Sequence, residues 1–349
     1  MYFLFIARLI LIAYTRPLHG VVMCLLLVCG QKIRNESMIK AISFILLFMI
    51  LSTSHATSQM DQSTNLPDTG VESLKILSWN IYMLPYISLF NHNADRAWVI
   101  ADKLQDSDCQ IIVFQEAFSS KCRNILAKRL AKVYPYQYGP ANTCRLPFRT
   151  NSGLWVVSKI PLTQLDKIQF SISKGYDAIA RKGAVLFEGD FHGAKFQLLA
   201  THLQADDEDH IRENQCAEIK EHLLNQYYNS SVPQIICGDF NIDMDDHANY
   251  KQMLHILEAN NGEITGDTKY TYDEIDNTLV QNAQGKKRVI DYILVRNDQF
   301  IHQIERTVKT FYSKIGQRPS NLSDHYAMEA VINFNPNLSL NAVLASAAK

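Results

Sequence analysis

Gln234-Ile235-Ile236-Cys237 reads as a buried strand, and the chain continues Gly238-Asp239-Phe240-Asn241. A carboxylate and an amide two residues apart fall on one side of an extended backbone, just where the apolar run stops. Five other segments are punctuated in the same way. Leu77-Ser78-Trp79-Asn80 ends in an amide, and Ile112-Val113-Phe114-Gln115-Glu116 drives a buried strand into a carboxylate. Ala200-Thr201-His202-Leu203-Gln204 does the same with an imidazole. Ile290-Asp291-Tyr292-Ile293 sets an acid inside a strand, and Ser323-Asp324-His325 opens the last strand.

Each of these has an ordinary explanation when taken alone. An Asn or Asp after a strand is usually a turn residue or a helix cap, and a lone His is more often hydrogen-bonded scaffold. Six together at strand ends or starts point to a site. An acid within a strand is costly unless paired. Asp291 therefore wants a cationic partner, and His325 is the natural candidate.

Outward from these segments, short apolar runs alternate with helical stretches. Strands are expected at Leu74–Tyr82, Ile111–Gln115, Gly153–Ser158, Ala184–Glu188, Lys195–Thr201, Gln234–Cys237, Val289–Val295 and Tyr326–Phe334. Apolar residues recurring at three- and four-residue spacing predict helices at Asp95–Leu104, Lys121–Lys132, Asp209–Tyr227 and His247–Glu258. No internal repeat or Pro/Gly/Ser-rich linker divides the region, so it reads as one mixed α/β domain, residues 72–335. Residues 57–71 read as a flexible lead-in and 336–349 as a tail.

The composition agrees. With 349 residues, 47% hydrophobic and 20% charged, the chain has ample length for a core and is neither a disordered polymer nor a disulfide-dense miniprotein. The net charge of -1 hides an asymmetry. Up to Ala56 there are five Lys/Arg and one acid, which leaves 29 basic and 34 acidic residues beyond it, a net of -5. Nucleic-acid binders need a basic excess to neutralise phosphates, and this region has none.

Residues 1–56 form a leader unlike the rest. Its three apolar runs, Phe3–Tyr14, Val21–Cys29 and Ala41–Leu51, are each shorter than the roughly 20 residues of a membrane-spanning helix. Met38-Ile39-Lys40, the apolar Ala41–Leu51 and Ser54-His55-Ala56 have the layout of a secretory signal peptide. We read Met38 as the true start, cleavage after Ala56, and a secreted product; the alternative is an amino-terminal membrane anchor. Of the 7 Cys, Cys109, Cys122, Cys144, Cys216 and Cys237 lie beyond the leader, and none forms a C-x-x-C pair. Export would permit a disulfide, and Cys122 and Cys144 bracket a suitable loop.

The polar set suits a hard cation. Carboxylate and amide oxygens, without thiolates or a His-x-x-x-His pair, match Mg²⁺. Two histidines beside such an ion suit phosphoester hydrolysis, one of them taking a proton from water.

In this order, the WN, QE, THL, GDFN, DYI and SDH elements resemble the endonuclease/exonuclease/phosphatase superfamily over about Leu74 to Phe334. The chain is similar in particular to bacterial secreted neutral sphingomyelinases. That likeness rests on NIYMLP (Asn80–Pro85), FQEAF (Phe114–Phe118), THLQAD (Thr201–Asp206), LSDHYAMEA (Leu322–Ala330) and an Asp177 five residues before Lys182-Gly183. The resemblance implies an α/β (α+β) fold of DNase I-like type, a four-layer α/β/β/α sandwich with two packed mixed sheets. It implies a Mg²⁺-dependent phospholipase C-type reaction, with Mn²⁺ or Co²⁺ substituting, that converts sphingomyelin at a membrane surface to ceramide and phosphocholine.

Roles follow by matched position. Glu116 is the expected direct metal ligand, with Asn80 and Asp324 helping. His325 is the expected general base, oriented by Asp291, while Asp239 and Asn241 place water and phosphate. His202 is expected to stabilise or protonate the leaving alkoxide. Lys182 is expected against the phosphate, directed by Asp177; the ordinary explanation of that last pair is a solvated surface contact.

The chain departs from the family at one element. Where bacterial sphingomyelinases carry an aromatic-rich hairpin, Phe311-Tyr312-Ser313-Lys314-Ile315-Gly316 is short. Tyr86, Ile87, Leu89 and Phe90 are the candidates to replace it, unless they belong to the core. The rival activity is a DNase I-like secreted endonuclease, for which Lys286-Lys287-Arg288 forms a local basic cluster; its ordinary explanation is a solvated turn before the Val289 strand. A P-x-W-C-D-R stretch, expected of inositol-polyphosphate phosphatases, is absent from Arg288-Val289-Ile290-Asp291-Tyr292. The sequon Asn321-Leu322-Ser323 abuts Asp324-His325, and a glycan there would obstruct the site, so a bacterial origin fits best.

Overall fold

Strand β1 (Leu74–Asn80) is apolar on both faces, and this sets the layering. Leu74 and Ile76 enter one core, whereas Leu77 and Trp79 enter another. Strand β2 (Ile111–Gln115) repeats the split, with Ile111 and Val113 on the first side and Ile112 and Phe114 on the second. Both sides must therefore be covered. Helices α1 (Asn93–Gln105) and α2 (Ser120–Leu130) close the second core with Ile100, Leu104, Leu126 and Leu130. Ser119 caps α2 by accepting from the Cys122 amide at 3.4 Å.

This computed structural model describes residues 73–84, 92–143, 150–206, 208–266, 268–280 and 284–335. The leader, the lead-in, the tail, Tyr86, Ile87, Leu89, Phe90 and Cys144 lie outside the described residues.

After β3 (Tyr136–Tyr138) and β4 (Trp155–Ser158) the chain builds β5 (Leu162–Gln169), β6 (Gly183–Phe191) and β7 (Ala194–His202). Helix α3 (Asp209–Ile219), continued by a π-helical turn at Lys220–Asn225, leads to β8 (Gln234–Asp239) and α4 (His247–Leu257). Short strands β9 (Ile264–Thr265), β10 (Tyr272–Asp273) and β11 (Lys287–Arg288) precede β12 (Asp291–Arg296) and β13 (Ile301–Lys309). A hairpin of β14 (Tyr312–Ile315) and β15 (Arg318–Asn321) then leads into β16 (Ala327–Phe334).

The strands form a seven-stranded sheet, β3-β4-β2-β1-β16-β13-β9, and a five-stranded sheet, β12-β8-β7-β6-β5. Both are mixed: β1/β2, β9/β13 and β7/β8 are parallel and the other neighbours in these two sheets antiparallel. The first core lies between the sheets and joins Ile76 and Val113 to Leu198, Ile236 and Ile293. It runs on to Cys216 and Ile219 of α3 and Met253 and Leu257 of α4. The result is the expected four-layer α/β/β/α sandwich, with the ends of β1, β2, β7 and β8 meeting at one edge.

Candidate active site

One register row of the five-stranded sheet carries three of the polar residues. His202 of β7 sits beside Asp239 of β8, and Asp239 sits opposite Asp291 of β12. The strands approach closely here because Gly238 has no side chain: a Cβ on it would lie 2.1 Å from the Thr201 carbonyl oxygen. Immediately after Asp239 the chain turns, and Asn241 takes a left-handed φ of 52°. Its amide donates back to Asp239 Oδ1 at 3.0 Å, and its Nδ2 donates to the Leu203 carbonyl at 3.2 Å.

The seven-stranded sheet supplies the opposing half. Asn80 ends β1 beside Gln115 of β2, and Glu116 follows with a φ of 53°, a strained conformation for a non-glycine residue. Gly153 makes room for that turn, since a Cβ on it would meet Glu116 Cα at 3.1 Å and the Phe118 ring at 2.9 Å. Asn80 Nδ2 donates to Asp239 Oδ2 at 3.0 Å, which joins the two sheets through the site. Ser323 Oγ donates to the Asn80 carbonyl at 2.6 Å and Trp79 Nε1 to the His325 carbonyl at 3.1 Å. The end of β1 is thereby stitched to the segment that carries Asp324 and His325.

His325 Nδ1 lies 2.8 Å from Asp291 Oδ2, and its Nε2 lies 3.8 Å from Asp239 Oδ2. Burial alone would lower the pKa of this imidazole, but the carboxylates of Asp291 and Asp239 raise it well above 6.5. Burial pushes the Asp291 carboxyl up to about 6. In the neutral ring, with Nδ1–H donated to Asp291, Nε2 is the acceptor. Thr271 Oγ1 accepts from the Asp291 amide at 3.1 Å and steadies this strand start, while the Tyr272 ring packs edge-on against His325 at 5.0 Å.

His202 is held neutral. Burial and then the Lys182 cation push its pKa well below 6.5. Lys182 is only 4% exposed, so it is not a solvated surface cation. Its Nζ lies 2.8 Å from Asp177 Oδ2, 2.9 Å from His202 Nε2 and 2.8 Å from the Leu203 carbonyl, so all three protons are committed. A phosphate reaching Lys182 must displace one of these partners.

The donor set fits a hard divalent cation. Glu116 Oε2 is shielded from solvent and has no hydrogen-bond partner, and burial together with the neighbouring Asp324 pushes this carboxyl up to about 7. Burial also raises Asp324 above its ordinary value. Two carboxylates that repel in a shielded corner are relieved by a cation between them. Asp239, Asp291 and His325 also cluster closely enough to hold an ion. Asp291 Oδ1 is orphaned there as Glu116 Oε2 is here, but the Asp291 charge already faces the His325 imidazole at 2.8 Å, whereas Glu116 faces the like charge of Asp324. Glu116, with Asn80 and Asp324, is the better fit.

All the expected site residues meet at this edge. Sequence reasoning missed Arg96, a fully buried cation of α1 that looks in the sequence like part of a solvated helix face. It donates to the carbonyls of Ile81 at 2.9 Å, Leu322 at 2.7 Å and Tyr82, which ties the loop after Asn80 to the loop before Asp324. Other features have clear physical explanations. Lys287 pairs with Asp273 and Asp276, and Arg288 with Glu274, so much of the basic cluster is neutralised. Cys122 is a buried free thiol, and the expected pairing with Cys144 falls outside the described residues. Asn321 is 5% exposed and accepts from Thr278, which leaves the sequon shielded.

This fold and site define a hydrolase class, and the chain belongs to the endonuclease/exonuclease/phosphatase family, whose sequence profile matches residues 77–325. Among its relatives, a sphingomyelinase C of Leptospira interrogans is 29% identical over 74% of this chain and 51% of its own length. The chain thus spans about half the length of the Leptospira relatives it matches. A Bacillus cereus sphingomyelinase C is 25% identical over 80% of this chain and 93% of its own. The crystal structure of Staphylococcus aureus beta toxin superimposes with a TM-score of 0.66 at 25% identity, covering 74% of this chain and 99% of the toxin. Another structure of that toxin, a double mutant at TM-score 0.64 and 24% identity over 75% of this chain and all of the toxin chain, contains bound magnesium ions.

Proposed function

We propose that this protein is an exported, Mg²⁺-dependent phosphodiesterase of phospholipase C type that hydrolyses sphingomyelin to ceramide and phosphocholine. The observation that carries this reading is a cleft of about 520 Å³ in which Glu116 and Lys182 stand against apolar walls from Leu84, Phe118 and Ile179. A phosphoester with a lipid leaving group needs charge at its phosphorus and an apolar wall beside it. The likeness to sphingomyelinases and the magnesium of the beta toxin support the same reading. Export rests on the signal-peptide layout of Met38–Ala56.

Glu116, with Asn80 and Asp324, would hold the ion. Bound there, Mg²⁺ supplies charge neutralisation at the phosphate and polarises its oxygen. His325 takes a proton from the attacking water at Nε2, and Asp291 and Asp239 stabilise the imidazolium. Asp239 and Asn241 position that water and the phosphate. On the far side, neutral His202 and the Lys182 behind it meet the developing alkoxide, while Asp177 sets the direction of Lys182.

Duplex cleavage, the rival activity, draws little support from the Lys286–Arg288 cluster, because Lys287 and Arg288 are spent on local carboxylates. With Mg²⁺, purified protein should release phosphocholine from sphingomyelin vesicles, and His325→Ala should abolish the release. Plasmid cleavage without lipid hydrolysis would replace this reading with the nuclease one.

A further inference from the structure

The segment joining β5 to β6 inverts the usual surface pattern. Its polar partners lie beneath it. Glu218 of α3 accepts from the Ser171 amide at 3.1 Å and its hydroxyl at 2.6 Å, and Gln215 donates to the Ile172 carbonyl at 3.0 Å. Gln204 accepts from the Lys174 amide at 3.0 Å and donates to its carbonyl at 3.1 Å. Asp177 accepts from the Ala205 amide at 2.6 Å. With the backbone held from below, Ile172, Tyr176 and Ile179 face solvent at 46%, 89% and 41% exposure.

Nine large hydrophobic side chains are exposed among the described residues, and three of them fall within these eight positions. Single exposed apolar residues need no explanation, but a group on a rigidly supported loop marks a contact surface. Tyr176, Ile179 and Ala180 also form one wall of the cleft that holds Glu116 and Lys182, so the surface is continuous with the site. The hairpin is already committed elsewhere. Phe311 stacks on Trp79 at 4.6 Å and Ile315 is buried, which leaves Tyr312 as its exposed aromatic.

The charge of the segment selects its partner. Between Ser171 and Ala180 the charged residues are Lys174 and Asp177, one of each sign, and each is paired, with Glu208 and with Lys182. Apolar side chains whose neighbouring cations are engaged suit a zwitterionic surface better than an anionic one.

We propose that the Ser171–Ala180 loop is the element by which this protein rests on a choline-lipid bilayer, with Ile172, Tyr176 and Ile179 entering the interfacial layer beside the cleft. The proposal rests on the lipid-substrate reading above. The probe is a vesicle of sphingomyelin and phosphatidylcholine, with EDTA present so that nothing is hydrolysed. Ile172→Trp should give blue-shifted emission that dibrominated phosphatidylcholine quenches, beyond the signal of the parent protein. With Mg²⁺, Ile172→Asp should lower turnover of vesicle sphingomyelin by about tenfold, the effect of losing roughly half an isoleucine's burial and adding a charge. Turnover of a water-soluble nitrophenyl ester of phosphocholine should stay at the parental level. An unchanged indole signal and full vesicle turnover by Ile172→Asp, with sphingomyelin still hydrolysed, would overturn the loop assignment and leave the function standing. A parent protein that releases no phosphocholine from these vesicles would overturn the function, and the indole signal would then decide the loop by itself.

Discussion

Replacing Asp291 by asparagine separates catalysis from stability. Asp291 is fully buried, with Oδ2 at 2.8 Å from His325 Nδ1. Asn keeps the shape and an acceptor oxygen for Nδ1–H but removes the charge that would face the imidazolium in the proposed water attack. Truncating one partner of a buried charged pair costs about 2–5 kcal/mol, which corresponds to a kcat lower by roughly 30- to 4,000-fold. KM should hardly move, because Asp291 lies behind His325. Stability should change far less than kcat, because two contributions oppose. Burial raises the Asp291 carboxyl from 3.8 to about 6, so its ionisation costs the native state stability as pH rises through that window. Asp291→Asn is free of that cost but also gives up the stability that Asp291 lends by raising the pKa of His325, so its melting temperature above this window should stay within a few degrees of the parent's. The pH profile supplies a third readout. Asp291 helps to raise the pKa of His325, so its loss should move the acid limb of kcat/KM to lower pH. Phosphocholine release measured across pH, alongside thermal melts, tests all three. A kcat within about threefold of the parent and an unmoved acid limb would refute Asp291 as the group that orients the base.

Glu116→Gln should abolish stabilisation by Mg²⁺. The native carboxyl titrates at about 7 against 4.5 unfolded, so metal-free stability falls as pH rises between those values, by about 2 kcal/mol after allowance for its partly exposed residue. Melts above neutral pH should show metal-free Glu116→Gln above the metal-free parent, and only the parent rising with Mg²⁺. Gly238→Ala forces a Cβ to within 2.1 Å of the Thr201 carbonyl, so β7 and β8 must part. A loss of about 2–3 kcal/mol in urea unfolding is expected, together with reduced turnover.

The strands that carry the site were legible because they are buried on both faces and end abruptly in polar residues. Their ends differ from expectation by one or a few residues; β8 runs on to Asp239 and β12 starts at Asp291. Strands with little buried surface were not legible. In β5 only Leu162 is fully buried, and β13 buries only Arg306 and Val308, so neither shows a clean alternation. The expected single helix Asp209–Tyr227 changes to π geometry at Lys220, yet Cys216, Ile219, Leu223 and Leu224 still reach the core. Within the site, Asp291 and His325 could be paired from the cost of a buried acid. Arg96 could not be found that way, because its partners are backbone carbonyls from distant loops that no side-chain pattern announces.

The position of β16 bears on when the enzyme can act. This strand, the last among the described residues, lies between β1 and β13 in the seven-stranded sheet, and His325 stands at its threshold. A chain still being synthesised therefore has neither the middle of that sheet nor the proposed base, even when every other strand has been made. A product cut short before β16 would lack an inner strand of the sheet and the proposed base together, so folding and the proposed chemistry are gained in the same short stretch of synthesis.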